Sequence, residues 1–252
     1  MLARTNASRP EAAHNGPVAS QRALATLRAV SAGQQHRAAR IDGGGDLEPR
    51  VAVLPASFNP PTLAHLELLA EALDVPGVAT AAFLLTTRNV DKEESGASYA
   101  DRLGMLLSLG PGAPVTLISN AARIADQGAA LRQAFPALPF DFVVGYDTLV
   151  RLFDERYYEA MHPVLGEFFR HHRLIAANRG PHDVAEVERY LEGDPNAAPY
   201  RRQIIVAEVH EEAALMSSSL VRSHLSLHGG SPHLPREVAD YIRAHGLYRN
   251  GG

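Results

Sequence analysis

The sequence predicts an α/β protein with a doubly wound, mostly parallel sheet and a C-terminal helical segment. From residue 50 onward, short apolar runs rich in Val, Ile and Leu alternate with helix-period patterns, which is typical of βαβ units. Such units cross over with a right hand and place helices on the faces of a parallel sheet. The clearest unit is the run 51–65, where a buried strand passes through a turn directly into a helix.

The predicted strands are short and apolar enough to be buried on both faces of a sheet. They are Val51–Leu54, Val78–Thr86, Val115–Ser119, Phe140–Val144, Arg173–Ala177 and Gln203–Val209. The helical patterns between them lie near Thr62–Leu73, Tyr99–Leu109, Ala122–Phe135, Asp147–Phe169 (in two pieces) and Val184–Leu191. In such sheets ligands bind at the carboxyl ends of the strands, so the first turn is a candidate site.

The first turn has the residue types of an anion-binding site. Pro55 is predicted to end the strand, and Asn59-Pro60-Pro61 imposes a turn with no backbone donor at either proline. Thr62 is a predicted helix N-cap, and His65 lies in the first turn of that helix. Free amides and the helix dipole both favour negative charge at this position. We therefore expect an anion near Ser57, Asn59, Thr62 and His65.

Two motifs in the chain resemble those of one enzyme family. Ser57-Phe58-Asn59-Pro60 followed by Thr62-Leu63-Ala64-His65 is similar to the SFNPxTxxH form of the HxGH signature of nucleotidylyltransferases, and is closest to nicotinamide or nicotinate mononucleotide adenylyltransferases. About a domain length downstream, Met216–Arg222 resembles the family's ISSTxxR motif. The resemblance covers roughly residues 50–249 and implies a Rossmann-like fold with ATP-dependent adenylyl transfer to a phosphorylated small molecule.

The resemblance also implies roles for individual residues. His65 and Arg222 would be catalytic, and the ATP phosphates would be held by Ser57, Phe58, Asn59, Thr62, His65, Arg179, Ser217, Ser218 and Arg222. The acceptor would contact Lys92, Arg102, Gly145, Asp147 and Tyr157. Because the attacking phosphate is already an anion, no general base is required. Mg²⁺ would arrive bound to ATP phosphates and water, and no metal site built from protein ligands is expected.

Two departures from the family pattern leave the acceptor open. Ala56 stands where the family has a glycine, and the chain has no Trp to stack on a pyridine ring. An aromatic wall would then come from Phe153, Tyr157 or Tyr158, beside Asp147. The preferred acceptor is nicotinamide or nicotinate mononucleotide, in NAD biosynthesis. The alternatives are another phosphorylated acceptor such as phosphopantetheine, the use of CTP, or a degenerate nucleotide-binding protein without turnover.

Residues 1–49 differ in composition from the predicted domain at 50–252. They are rich in Ala, Ser, Gly and Gln, carry more Arg than acidic residues, and are predicted to form a flexible extension and linker. Ala23, Leu24, Leu27 and Val30 would share one helix face. An organellar transit peptide is therefore the alternative interpretation of this stretch.

Composition restricts the class of protein further. The chain has no Cys, which excludes disulfides and thiolate nucleophiles, and its net charge of -4 gives no sign of a nucleic-acid partner. No apolar run approaches the ~20 residues that span a bilayer. We expect a cytoplasmic protein without a membrane partner, and homo-oligomerisation stays open. Adjacent His171 and His172 are expected to be solvent groups rather than metal ligands, and Phe168-Phe169 to be core.

Overall fold

The computed structural model describes residues 19–41, 47–88, 96–178, 182–210 and 215–249. Its strands are β1 (Ala38–Arg40), β2 (Val51–Ala56), β3 (Thr80–Thr86), β4 (Val115–Ser119), β5 (Phe140–Gly145), β6 (Arg173–Ala177) and β7 (Ile204–Ala207). They form one sheet in the order β1-β4-β3-β2-β5-β6-β7. Only β1, which pairs with β4, is antiparallel among these strands. The predicted α/β fold with a mostly parallel sheet is confirmed.

From residue 50 onward, the helices follow the strands as the pattern predicts. They are α1 (Gln21–Ser31), α2 (Leu63–Leu73), α3 (Tyr99–Ser108), α4 (Ile124–Ala134), α5 (Tyr146–Leu152), α6 (Met161–His171), α7 (Val184–Gly193), α8 (Ser218–His228) and α9 (Arg236–His245). Alternate residues of β2 enter different apolar clusters, with Val51 and Val53 on one face and Ala52 and Leu54 on the other. The sheet is therefore covered by helices on both faces.

The prediction that Pro55 ends the first strand is wrong, because β2 continues to Ala56. The amide of Val51 donates to Pro139 on the β5 side, and amides two and four residues along a strand point the same way. The missing donor of Pro55 therefore faces β5, whose pairing with β2 has already ended at Val53. A proline is tolerated in a strand where its nitrogen faces no ladder partner.

The prediction that residues 1–49 form a flexible extension is wrong for residues 19–41. Helix α1 buries Ala23, Leu27 and Val30 in the core, and β1 extends the sheet beside β4. The buried Asn120 fastens the connection, since its side chain accepts from the Arg37 amide at 2.7 Å and donates to two carbonyls of the 33–35 turn. The apolar helix face seen in the sequence is thus a docking face.

His172 is buried, so the expectation that it is a solvent group is wrong. Its Nε2 lies 3.2 Å from the Gly128 carbonyl, and its ring packs edge-on against Phe142 and near Phe168. Burial lowers the pKa of His172 to about 4. Phe168 and its neighbour Phe169 are core residues, as predicted.

At the amino ends of the central strands, a buried carboxylate holds two arginines. Asp141, at the start of β5, is fully buried and accepts from Arg50 at 2.8 Å and from Arg173 at 2.5 Å and 3.1 Å. Arg50 precedes β2 and Arg173 begins β6, so this group connects three neighbouring strands at their amino ends. The hydrogen bond to Asp141 raises the pKa of Arg173.

Helices α8 and α9 pack as a separate layer against α3. Their apolar residues Val221, Val238 and Ile242 join Met105 of α3 in a cluster of their own. Gly104 of α3 lies directly beneath Tyr241, where an added Cβ would meet the tyrosine ring. In the described part of the chain, no helix is both long enough and apolar enough to cross a bilayer.

Candidate active site

The turn between β2 and α2 holds its first residues in an unusual backbone conformation. Phe58 adopts a left-handed φ of 44°, which is uncommon for a bulky residue. Its side chain, 1% exposed, contacts the rings of Phe83 and His65 edge-on, with centroids 5.1 Å away in each case. The ring predicted to lie at the ATP phosphates is therefore a core group that also orients His65.

His65 is fixed by the N-cap of its own helix. The Thr62 backbone N–H donates to His65 Nδ1 at 3.0 Å, and the Thr62 hydroxyl lies 2.8 Å from the same nitrogen. A backbone amide can only donate, so Nδ1 is an acceptor and the neutral ring carries its proton on Nε2. Thr62, which is 1% exposed, thus sets the tautomer of His65. The imidazole can donate from Nε2 without being cationic.

The second motif docks on the same turn. Ser218 Oγ donates to the Pro60 carbonyl at 2.9 Å, and Arg222 donates to the Asn59 carbonyl at 2.6 Å. A second nitrogen of Arg222 donates to Ser219 Oγ at 3.0 Å, while Ser217 caps α8 by accepting from the Leu220 amide. His65 and Arg222, far apart in sequence, therefore flank one four-residue turn.

The anion site at the start of α2 is less open than the sequence indicated. The amide of Leu63, the first residue of the helix, donates to the His233 carbonyl at 3.0 Å. A free amide at this position was part of the reason to expect an anion there. The segment between α8 and α9 instead supplies the acceptor, so the helix N-terminus is joined to the C-terminal layer.

A cleft opens at the carboxyl ends of β2, β5 and β6. The space between its walls is about 620 Å³, open solvent at the mouth included. Its polar lining consists of Thr62, His65, Thr148, Asn178 and Ser218. The chain leaves β2 for β3 on one side, while β5 lies on the other. The cleft thus lies at the topological switch point, where ligands bind in open α/β sheets.

Thr148 and Asn178 line the cleft but were not among the predicted site residues. Asn178 follows β6, and its side chain bonds both backbone groups of Val209, accepting at 2.7 Å and donating at 3.1 Å. It therefore closes the cleft floor by joining the ends of β6 and β7. Asn178 could have been identified from the sequence, because it is a polar residue directly after a buried strand. Thr148 lies in the first turn of α5, which follows β5.

The residues predicted for the acceptor are spread more widely. Gly145 ends β5, caps α5 and lines the cleft, and Asp147 is exposed in the first turn of that helix. Arg102 is 4% exposed. It donates to the Ala97 carbonyl at 2.8 Å and lies over the Tyr99 ring, away from the cleft lining. Lys92 and Arg179 lie outside the described residues.

None of the three aromatic residues proposed as a wall lines the cleft. Phe153 is buried in the core, where its ring centroid lies 6.1 Å from those of Phe169 and Tyr200. The Tyr158 hydroxyl donates to the Leu152 carbonyl, and burial raises the pKa of Tyr158 to about 12. Tyr157 is half-buried and accepts from Arg123 through its carbonyl. The expectation of an aromatic wall beside Asp147 is therefore wrong for Phe153, which belongs to the core, and for Tyr157 and Tyr158 it stays a prediction.

Sequence comparison finds relatives in fungi and bacteria, although no family model matches the chain. A Schizosaccharomyces pombe protein named as a nicotinamide mononucleotide adenylyltransferase is 31% identical over 140 residues, 51% of this chain and 53% of that protein. The match thus spans about half the length of that relative. A Neisseria meningitidis serogroup B protein named as a nicotinate-nucleotide adenylyltransferase is 25% identical over 209 residues, 79% of this chain and 98% of that protein.

Structure comparison finds the same fold in an enzyme of Plasmodium falciparum. Its nicotinic acid mononucleotide adenylyltransferase complexed with NaAD superposes with a TM-score of 0.58 at 15% identity, over 80% of this chain and 98% of that chain. The same enzyme complexed with APC gives a TM-score of 0.57 at 14% identity. At this level of identity the likeness concerns the fold alone.

Proposed function

We propose that this chain, a divergent member of the nucleotidylyltransferase superfamily, transfers AMP from ATP to nicotinamide or nicotinate mononucleotide and releases pyrophosphate. One observation carries the proposal: the two motifs meet on the Asn59–Thr62 turn, at the switch point of the sheet. The relatives named as adenylyltransferases of pyridine mononucleotides support it.

Positioning and charge neutralisation would perform the reaction. A phosphate oxygen of the mononucleotide forms a bond to the α-phosphorus of ATP, while the bond from that phosphorus to the bridging oxygen breaks. His65, whose Nε2 carries the proton, would donate to the bridging oxygen, and Arg222 would neutralise the leaving pyrophosphate. Donors held in place before reaction stabilise developing charge because they need not reorganise. Ser57, Ser217 and Ser218 would supply further donors for the phosphates.

The residues at the cleft suit a metal that arrives with its substrate. Within the described ranges, no cluster of three or more His, Asp or Glu side chains is arranged to hold a metal ion. The cleft offers hydroxyls, an amide and one imidazole, whereas Mg²⁺ prefers carboxylates, phosphates and water. We propose that Mg²⁺ is bound by ATP phosphates and water, and that its charge offsets theirs.

The acceptor would lie at the β5 side of the cleft. There Gly145 allows close approach to the strand end, and the exposed Asp147 offers a carboxylate to ribose hydroxyls. The position of the three predicted aromatic residues away from the cleft favours a second candidate, an acceptor without a pyridine ring. Phosphopantetheine is the representative of this class, and the role of ATP would be unchanged.

An assay with several acceptors tests the proposal. The protein is incubated with Mg-ATP and, separately, with nicotinamide mononucleotide, nicotinate mononucleotide or phosphopantetheine, and pyrophosphate and the adenylylated product are both measured. We expect dinucleotide from at least one pyridine mononucleotide. Turnover of phosphopantetheine alone would establish the second candidate, and tight ATP binding without any product would contradict the enzymatic function.

A further inference from the structure

Asn59 is a buried junction of three distant parts of the chain. Its side chain is 5% exposed, and its Oδ1 accepts from the Ala97 amide at 3.2 Å and from the Tyr248 hydroxyl at 2.7 Å. Because a backbone amide only donates, the contact with Ala97 fixes which end of the Asn59 amide is oxygen. The side chain predicted to bind ATP phosphates is therefore occupied within the protein.

The main chain of the same residue holds the phosphate-motif arginine. The Asn59 carbonyl accepts from Arg222 at 2.6 Å, and a second nitrogen of Arg222 donates to Ser219. A guanidinium has five N–H donors, so these two bonds leave donors for a phosphate. The position of Asn59 consequently determines where the charge of Arg222 lies relative to the turn.

The backbone of Tyr248 is held in an uncommon conformation. Its backbone φ of 59° is left-handed, a conformation that a tyrosine keeps only where its surroundings impose it. Its ring packs in the cluster formed with α3, α8 and α9. On the other side of Asn59, a Cβ at Gly96 would come within 2.8 Å of the Asn59 amide. The pocket around Asn59 is thus closely fitted on two sides.

We propose that Tyr248 is a positioning residue that holds Arg222 at the ATP phosphates by bracing Asn59. The inference rests on the proposed function and extends it to a residue outside both motifs. Tyr248 acts through two contacts: its hydroxyl fixes the orientation of the Asn59 side chain, and the Asn59 carbonyl fixes the position of the Arg222 guanidinium. Ligands that carry the β- and γ-phosphates should therefore be affected by Tyr248, and the mononucleotide acceptor should not.

The substitution Tyr248→Phe removes the hydroxyl and keeps the ring. We expect the KM for Mg-ATP and the Kd for inorganic pyrophosphate with Mg²⁺ to rise roughly tenfold, the scale of one buried hydrogen bond, with the acceptor KM unchanged. Tyr241→Phe is the matched control, since Tyr241 lies in the same C-terminal layer but its hydroxyl contacts Asp101. It should keep the wild-type affinity for both ligands, whatever its melting temperature.

A double-mutant cycle with Arg222→Ala separates positioning from a general structural effect. If Tyr248 acts through Arg222, then Tyr248→Phe has no further effect on pyrophosphate binding once Arg222 is removed. Additive losses, or equal Mg-ATP affinity of wild type and Tyr248→Phe, would overturn the inference. A wild-type protein that binds Mg-ATP but forms no dinucleotide would refute the proposed function alone, since the binding comparison still decides the role of Tyr248.

Discussion

At the scale of single residues, the N-cap of α2 separates two roles of His65. Its Nδ1 accepts from the Thr62 amide and so stabilises the helix N-terminus, while its Nε2 proton is the one that we propose donates to the substrate. An asparagine can imitate the acceptor at Nδ1 but does not reach the position of Nε2. Stability and catalysis can therefore be tested with different substitutions at the same residue.

We expect His65→Asn to lower kcat by on the order of 100-fold, the effect of losing one preorganised donor, while the melting temperature stays near that of wild type. His65→Ala should lose both the turnover and part of the stability of the cap. Steady-state kinetics and thermal unfolding of both variants give the comparison. Wild-type turnover in His65→Asn would show that Nε2 has no role in the reaction.

His172 makes stability depend on pH. Its folded pKa of about 4 lies below the ~6.5 of an unfolded histidine, so the unfolded chain takes up the proton first as pH falls. The contribution of neutral His172 to the free energy of unfolding is fully present above pH ~6.5, and it decreases by roughly 3 kcal/mol as the pH falls to about 4. His172→Gln should reduce this slope in denaturant titrations, whereas His171→Gln, at the neighbouring exposed site, should keep it.

At the scale of secondary-structure elements, α1 shows what the sequence left undecided. The spacing of Ala23, Leu27 and Val30 indicated a helix with one apolar face, but the surface that receives it is formed by distant parts of the chain. The amino-acid composition of residues 1–49 indicated a flexible segment because it averages the apolar face of α1 with the polar one. Strands β2 to β7, whose patterns are local and strongly apolar, were predicted to within two residues, whereas β1 was not predicted.

Leu27→Ala tests whether α1 is part of the domain. We expect a loss of about 2–4 kcal/mol in the free energy of unfolding, as for other buried leucines, measured by urea titration. Arg28→Ala, at the exposed next position of α1, should leave stability nearly unchanged. Equal stability of both variants would restore the interpretation as a flexible extension. A chain that starts near Glu48 lacks α1 and β1 and should therefore be destabilised.

At the scale of the whole molecule, the sequence predicted the sheet and the two motifs but not how they are held together. Alternating patterns determine that strands are parallel and that their carboxyl ends share an edge. These patterns do not show which side chains are already engaged in contacts within the protein. Phe58 and Asn59 were therefore expected at the phosphates, although both are buried. Phe153 was expected at the cleft and belongs to the core for the same reason.

Asp141 joins three strands at the edge of the sheet opposite the cleft, and Asp141→Asn should destabilise the whole domain. Arg50 and Arg173 keep 29% and 31% of their side-chain surface exposed, so the loss should be roughly 1.5–3 kcal/mol, the scale of hydrogen bonds to a charged group. The catalytic constants should be unchanged below the unfolding temperature, because the site lies at the other end of the strands. Asp154→Asn, whose partner Arg156 is exposed, is the control and should be near neutral.

The contact of the C-terminal layer with the Asn59–Thr62 turn gives the chain an order of assembly. During synthesis, the turn emerges well before Ser218, Arg222 and Tyr248, and all seven described strands precede these residues. A ribosome-bound chain could thus complete its sheet while the cation of the second motif is still missing. The ability to bind a nucleoside triphosphate would then arise only when translation has passed Tyr248. Chains that terminate earlier would not bind ATP.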